Sequence, residues 1–212
     1  MRVLIGGETS GVIRRAFRVR GHDAYSCDLL ECQDNSEYHY QCDMFEILPL
    51  DSWDLFIVHP DCTFLTSSGL HWNKRIAGRE QATLKALDFV RRCLDVPKNY
   101  KVRRLCLENP PGRIGTAICK ADQYVQPYQF GDDASKKTGL WLYNLPPLKI
   151  DPAKRCPGRI VKSGPYAGKE RWSNQTDSGQ NNLGPSADRW QLRAETYPGI
   201  AAAMAEQWGI LD

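Results

Sequence analysis

The 212-residue sequence contains no apolar run approaching the roughly 20 residues that a membrane-spanning helix needs, so no membrane association is expected. The N-terminus lacks the layout of a secretory signal. Charge of one sign is missing as well. The 28 basic and 25 acidic residues leave a net charge of only +3, which neither demands nor excludes nucleic acid, because placement matters more than the sum. No internal repeat is apparent. The eight cysteines are scattered, which argues against a disulfide framework and for a reduced, cytoplasmic chain. What is present, 42% hydrophobic and 25% charged residues, is the balance of a soluble globular protein. The length suits one α/β domain and is too short for two ordinary ones.

Short apolar runs alternate with helical patterns. Val3–Gly6 reads as a first strand. Val12–Arg20 reads as a helix with Val12, Ala16 and Val19 on its apolar face and Gly21 as its stop. Ala24–Leu29 is a second strand. Trp53–Val58 has the length and content of a buried parallel strand and stops at His59-Pro60. Residues 78–95 place Leu84, Leu87, Val90 and Leu94 on one helical stripe. Arg104–Leu107 and Gly139–Tyr143 are further strands, and Ile200–Trp208 is an Ala-rich closing helix. This alternation predicts a parallel sheet with helices on both faces, with ligands bound beyond the carboxyl ends of the strands. Those ends carry Gly6-Gly7, Asp28, His59-Pro60-Asp61-Cys62 and Glu108-Asn109. Residues 151–189, rich in Gly, Ser, Asn, Pro and Lys/Arg, read as a long loop. Loops of that length in compact domains are usually functional or disordered.

The chemistry-bearing residues cluster at those ends. Gly6-Gly7-Glu8-Thr9-Ser10-Gly11 lets the backbone turn tightly and opens a helix N-terminus, without the regular dinucleotide spacing. Asp28 can accept from both hydroxyls of a ribose, and Asp43 from an adenine amino group. Taken singly, each is as readily a surface carboxylate. Cys62, just past a buried strand, is placed as an accessible nucleophile. Pyrimidine C5 becomes nucleophilic only after a thiolate adds to C6. Such chemistry needs a cysteine together with an acid at N3, and Glu108 on the neighbouring strand supplies the acid. Cys27, Cys32, His39 and Cys42 are ligand types at looser spacing than structural zinc sites use, so no metal is expected. His22, His59 and His71 read as structural or surface residues, with His59 near enough to influence Cys62. The arginines at 14, 15, 18 and 20 read as solvated charge on a helix face. Lys154, Arg155, Arg159, Lys162, Lys169 and Arg171 read equally well as solvent-facing charge or as phosphate contacts.

In this order, the Gly-rich turn, Asp28, Asp43, Pro-x-Cys, Glu-Asn-Pro and the small-residue final helix resemble the DNA cytosine-C5 methyltransferases. They are similar above all to a compact phage-type branch with a His-Pro-Pro-Cys-Thr loop. Residues 17–24, 126–131 and 196–200 look like other recurring stretches of that branch, so the resemblance spans nearly the whole chain. It implies a Rossmann-like class I S-adenosylmethionine-dependent fold with a catalytic core over residues 1–150. Residues 151–189 would then be a reduced recognition region, and residues 190–212 a closing helix. Implied contacts to S-adenosylmethionine are Gly6, Gly7, Glu8, Ser10, Asp28, Leu29, Asp43, Met44 and Pro60. Implied catalytic residues are Cys62, Glu108 and Asn109. Asp61, Thr63, Lys136, Lys137 and Arg155 would face DNA or a pyrimidine nucleotide, the two lysines standing where the family carries an arginine. A phage-encoded protein of a bacterial cytoplasm is the setting implied. Two departures stand out. Asp61 replaces the family's proline, where a carboxylate should repel the thiolate form of Cys62. There is also no sizeable recognition domain, which leaves open a free nucleotide, an altered transferred group or a non-catalytic relative.

Overall fold

A computed structural model describes residues 1–67, 73, 75–184 and 195–211. His71 and parts of the 151–189 and 190–212 segments therefore lie outside the described residues. In chain order the elements are β1 (Arg2–Gly6), α1 (Val12–Val19), β2 (Asp23–Asp28), β3 (His39–Gln41), α2 (Met44–Ile47) and β4 (Leu55–Val58). There follow α3 (Arg79–Leu94), α4 (Val96–Asn99), β5 (Leu105–Asn109), α5 (Arg113–Ala117), β6 (Gln123–Val125) and β7 (Thr138–Tyr143). A short β8 (Arg159–Ile160), β9 (Glu170–Arg171) and the helix α6 (Pro198–Trp208) complete them.

The main sheet has seven strands in the order β3-β2-β1-β4-β5-β7-β6. Strands β1 to β5 pair in parallel, whereas β7 runs antiparallel to both β5 and β6. The alternation rule anticipated the parallel part and not the reversed edge. The topology is that of a Rossmann-like, doubly wound α/β sheet with a reversed strand near one edge.

Period-two alternation sorts the side chains into two cores, as helices on both faces require. Val3, Ile5, Leu55 and Ile57 pack against Ile13, Phe17, Ile200, Met204 and Trp208 on one face. Leu4, Phe56, Val58, Leu105 and Leu107 pack against Leu87, Val90, Trp53 and Trp141 on the other. Each large side chain so buried contributes about 1.5–3 kcal/mol.

Three expectations need correction. The buried stripe of α1 is Ile13 and Phe17, and Val19 is 84% exposed. The expected stripe was rotated, because it passed over Phe17 and assumed that no arginine would be inside. Arg14 is 1% exposed, with its guanidinium on the Ser26 hydroxyl at 2.8 Å and on Asp34. A cation can be buried here because the buried Ser26 hydroxyl and the more exposed Asp34 carboxylate satisfy it. In α3, Leu87 and Val90 are buried as expected, whereas Leu84 is 44% exposed and Thr83 faces inward instead.

Within the long loop, β8 and β9 form a small antiparallel pair, and Val161 and Trp172 are buried. Trp172 stacks on Tyr128, with ring centroids 3.9 Å apart.

Candidate active site at the strand ends

The strand order reverses at β1 and β4, where the topology opens a crevice at their carboxyl ends. Gly7 turns the chain there with φ of 76°, and its amide donates to the Cys27 carbonyl at 2.7 Å. A Cβ on Gly7 would stand 2.4 Å from the His59 carbonyl oxygen, so only glycine lets β1 close against the end of β4. Met44 packs beneath this turn, its sulfur 2.8 Å from where a Gly6 Cβ would lie. Glu8 is buried and caps α1, accepting from the amides of Ile13 at 2.7 Å and Arg14 at 3.3 Å. Burial pushes the Glu8 carboxyl up in spite of those bonds. Ser10 is buried beside it.

At the end of β2, half-buried Asp28 accepts from the Leu30 amide at 2.9 Å, and Leu29 beside it is 71% exposed. Asp43, just past β3, caps α2 by accepting from the Phe45 amide at 3.0 Å. The two carboxylates thus stand at the ends of neighbouring strands.

The loop after β4 is tied to the loop after β5. The Asn109 amide donates to the Pro60 carbonyl at 2.8 Å, and the Arg113 amide to the Leu65 carbonyl at 2.7 Å. Thr66 bridges to Gly112, where a Cβ would collide with the Leu65 carbonyl. These ties pin the loop that carries half-buried Cys62 to the segment at and after the end of β5. Exposed Asp61 turns back onto its own loop. Its carboxylate accepts from the Thr63 amide at 2.9 Å and the Thr63 hydroxyl at 2.7 Å, so it caps the turn that presents Cys62.

Glu108 is 8% exposed, and its Oε2 lies 2.9 Å from His59 Nδ1. Burial alone would raise its carboxyl pKa. The His59 hydrogen bond, Lys136 and the Thr138 hydroxyl together outweigh burial and hold it below the usual value. The environment therefore favours the carboxylate form of Glu108.

Of the two lysines, Lys136 faces Glu108 electrostatically and donates to the Glu195 carbonyl at 3.1 Å. Lys137 is exposed and lies 4.6 Å from the Tyr124 ring centroid, on another side of the strand start. Asn174 clasps this segment. It accepts from the Ser135 amide at 2.9 Å, donates to the Ser135 carbonyl at 3.0 Å and donates to the Tyr197 hydroxyl at 3.3 Å.

Sequence reasoning read His59 as a structural or surface residue near Cys62 and not as the partner of Glu108, and it passed over Thr138 and Asn174. The position of His59 between a strand end and Pro-x-Cys was the one available signal. Asn174 carried none, since its contact to Ser135 spans 39 residues. Arg155, expected at the substrate, is paired with Glu170 at 2.5 Å and lies over the Tyr128 and Trp172 rings. Lys154 and Arg159 pair with Glu206 and Asp177, and Arg171 donates to the Asp177 carbonyl. Lys162 and Lys169 are exposed, with no ion pair among the described residues. The four possible metal ligands are otherwise engaged. The Cys27 and Cys42 sulfurs are 4.0 Å apart, while His39 bonds Ser26 and the Leu30 carbonyl.

No protein-family model and no curated protein matches the chain. Among solved structures, it is similar to a protein assigned as a DNA modification methyltransferase encoded within an Escherichia coli prophage. That likeness has a TM-score of 0.42 and 14% identity, over 67% of this chain and 46% of the other. An rRNA methylase from Escherichia coli is similar with a TM-score of 0.36 and 13% identity, over 66% and 55% of the two chains. The 16S rRNA methylase RmtB is similar with a TM-score of 0.30 and 14% identity, over 66% and 54%. The matched regions make up about half the length of those structures.

Proposed function

We propose that the chain is an S-adenosylmethionine-dependent methyltransferase acting on C5 of cytosine in DNA, with Cys62 as nucleophile. The observation that carries this reading is the tie between the two loops. It joins the loop that carries Cys62 to the end of the strand that carries buried Glu108, and activation of a pyrimidine requires such a cysteine and carboxylate together.

The crevice suits the cofactor. Asp28 and Asp43 stand on neighbouring strand ends, with exposed Leu29 as an apolar surface beside them and a glycine turn next to both. Asp28 would accept from ribose hydroxyls and Asp43 from the adenine amino group. Glu8, Ser10, Met44 and Pro60 would shape the floor. When bound, the cofactor supplies an electrophilic methyl group. The Cys62 thiolate adds to C6 and drives electron density to C5. As that density builds, N3 takes up a proton from water and the Glu108 carboxylate pairs with it, while Lys136 balances the carboxylate's charge. Once C5 carries the methyl group, loss of the C5 proton to water restores the C5–C6 double bond and expels the Cys62 thiolate. Asn109 fixes the nucleophile's loop through Pro60. A target base inside a duplex has to be flipped out to reach this depth.

Lys162 and Lys169 stand on the segment joining β8 and β9, with Tyr166 exposed between them, and would contact the phosphate backbone. A second reading, a free pyrimidine nucleotide as substrate, draws support from the internal pairing of Lys154, Arg155 and Arg159, which leaves few cations for a long backbone.

The test is covalent trapping. DNA carrying 5-fluorocytosine should form a denaturation-resistant adduct with the chain in the presence of S-adenosylmethionine, because fluorine at C5 cannot leave as a proton. Cys62→Ser should abolish the adduct and keep cofactor binding, since a hydroxyl is a far weaker nucleophile at neutral pH. Methyl transfer by Cys62→Ser at the wild-type rate would end the C5 mechanism. Adduct formation with 5-fluoro-dCMP in place of DNA would favour the second reading.

A further inference from the structure

Among the described residues, two buried polar side-chain atoms stand without partners at the ends of the neighbouring strands β4 and β5. His59 is pinned there, its amide donating to the Gly6 carbonyl at 2.9 Å and its carbonyl oxygen crowding Gly7. Its side chain is about one-tenth exposed. Nδ1 lies 2.9 Å from the Glu108 carboxylate, and a carboxylate only accepts, so the ring proton sits on Nδ1. In the neutral ring Nε2 then carries a lone pair. That nitrogen is buried and has no hydrogen-bond partner among the described residues.

Asn109, the last residue of the adjacent strand, is 1% exposed. Its amide nitrogen must be the atom facing the Pro60 carbonyl, 2.8 Å away, because two acceptors cannot bond each other. The orientation of the amide is thereby fixed, and its Oδ1 is the second buried atom without a partner. Buried polar atoms are satisfied in more than about nine cases in ten, so two orphan acceptors on neighbouring strand ends are a feature that a ligand would complete. Their surroundings repel a third acceptor. The ionised Glu108 lies beside His59.

The geometry points to His59 Nε2 and Asn109 Oδ1 as an acceptor pair that receives the exocyclic amino group of the target base and excludes its oxo counterpart. This rests on reading the crevice as a base-binding site. It assigns to His59 the discrimination of cytosine from uracil and thymine. Cytosine offers two N–H bonds at C4, whereas uracil and thymine would set a carbonyl oxygen against two lone pairs. Sites built to hydrogen-bond an N–H reject analogues that lack it strongly, because the site's own buried groups are then left unpaired.

The experiment uses the full chain with 15N-labelled histidine. Long-range proton–nitrogen correlation reads the tautomer of His59, first alone, then with S-adenosylhomocysteine. Two oligodeoxynucleotides are then added separately, identical except for one deoxycytidine replaced by deoxyuridine. Expected are a proton on Nδ1, no change at Nε2 with S-adenosylhomocysteine alone, and an Nε2 shift with the cytosine strand only. The cytosine strand should also bind at least about tenfold more tightly. His59→Asn keeps an amide donor near the Nδ1 position and removes Nε2. It should erase that preference while the melting shift caused by S-adenosylhomocysteine persists. A proton found on Nε2, or a response to S-adenosylhomocysteine alone, would overturn the assignment. Equal binding of the two strands would overturn the acceptor pair and leave the base site standing. Binding of neither strand would remove the base site itself, and the acceptor pair with it.

Discussion

Glu108 is pulled two ways, by burial that disfavours its charge and by His59, Lys136 and Thr138 that favour it, and the second set prevails. A carboxyl whose pKa is lower in the folded than in the unfolded chain binds protons less readily when folded. Its contribution to stability is present above the ordinary glutamate value of about 4.3 and is lost as pH falls through the folded value. Urea unfolding measured at a series of pH values should therefore show stability declining below about pH 4, with a shallower decline in Glu108→Gln. An identical acid limb in both proteins would mean that the carboxylate is not held by its neighbours. The same substitution should slow methyl transfer by about 10²-fold or more, the usual worth of a fixed group that faces charge developing in the transition state.

The first helix shows what a register shift means for an element. Val12, Ala16 and Val19 have helical spacing, but Ile13 and Phe17 enter the core with Ile200, Met204 and Trp208, and Arg14 goes in beside them. Phe17→Ala should cost about 3–5 kcal/mol, because it empties a filled site between the helix and the sheet. Val19→Ala should stay within about 0.5 kcal/mol, as exposed changes do. Chemical denaturation of the two variants separates the registers directly. Equal effects would place Val19 inside. The β8–β9 segment is the second element with a measurable consequence. Lys162→Glu with Lys169→Glu should weaken DNA binding and flatten its salt dependence, whereas Lys154→Glu should change the slope less because Lys154 already faces Glu206. The same slope in the double variant would move the DNA contact elsewhere.

For the molecule as a whole, the crevice between β1 and β4 is where binding would couple to folding. A ligand that binds only the folded chain adds about 2.7 kcal/mol at a hundredfold excess over its dissociation constant. S-adenosylhomocysteine should therefore raise the melting temperature, and Asp28→Ala should reduce the rise. No rise at millimolar ligand would count against the cofactor assignment. Asn174 shows why the long segment belongs to the same unit. It joins the residues beyond β9 to Ser135, next to Lys136, and to Tyr197 ahead of α6.

By itself the sequence determined that strands alternate with helices, that β4 is buried on both faces and that Gly7, Asp28, Cys62 and Glu108 stand at strand ends. Each of these follows from local pattern: a four-residue apolar run, a glycine pair and a polar residue where an apolar run stops. Tertiary structure decided what local pattern does not encode. It reversed β7 against β5, buried Arg14 by bringing Ser26 and Asp34 to it, and made His59 the partner of Glu108 49 residues away. The protonation state of Glu108 belongs to the second kind, because a carboxyl's charge is set by the groups that the fold brings around it.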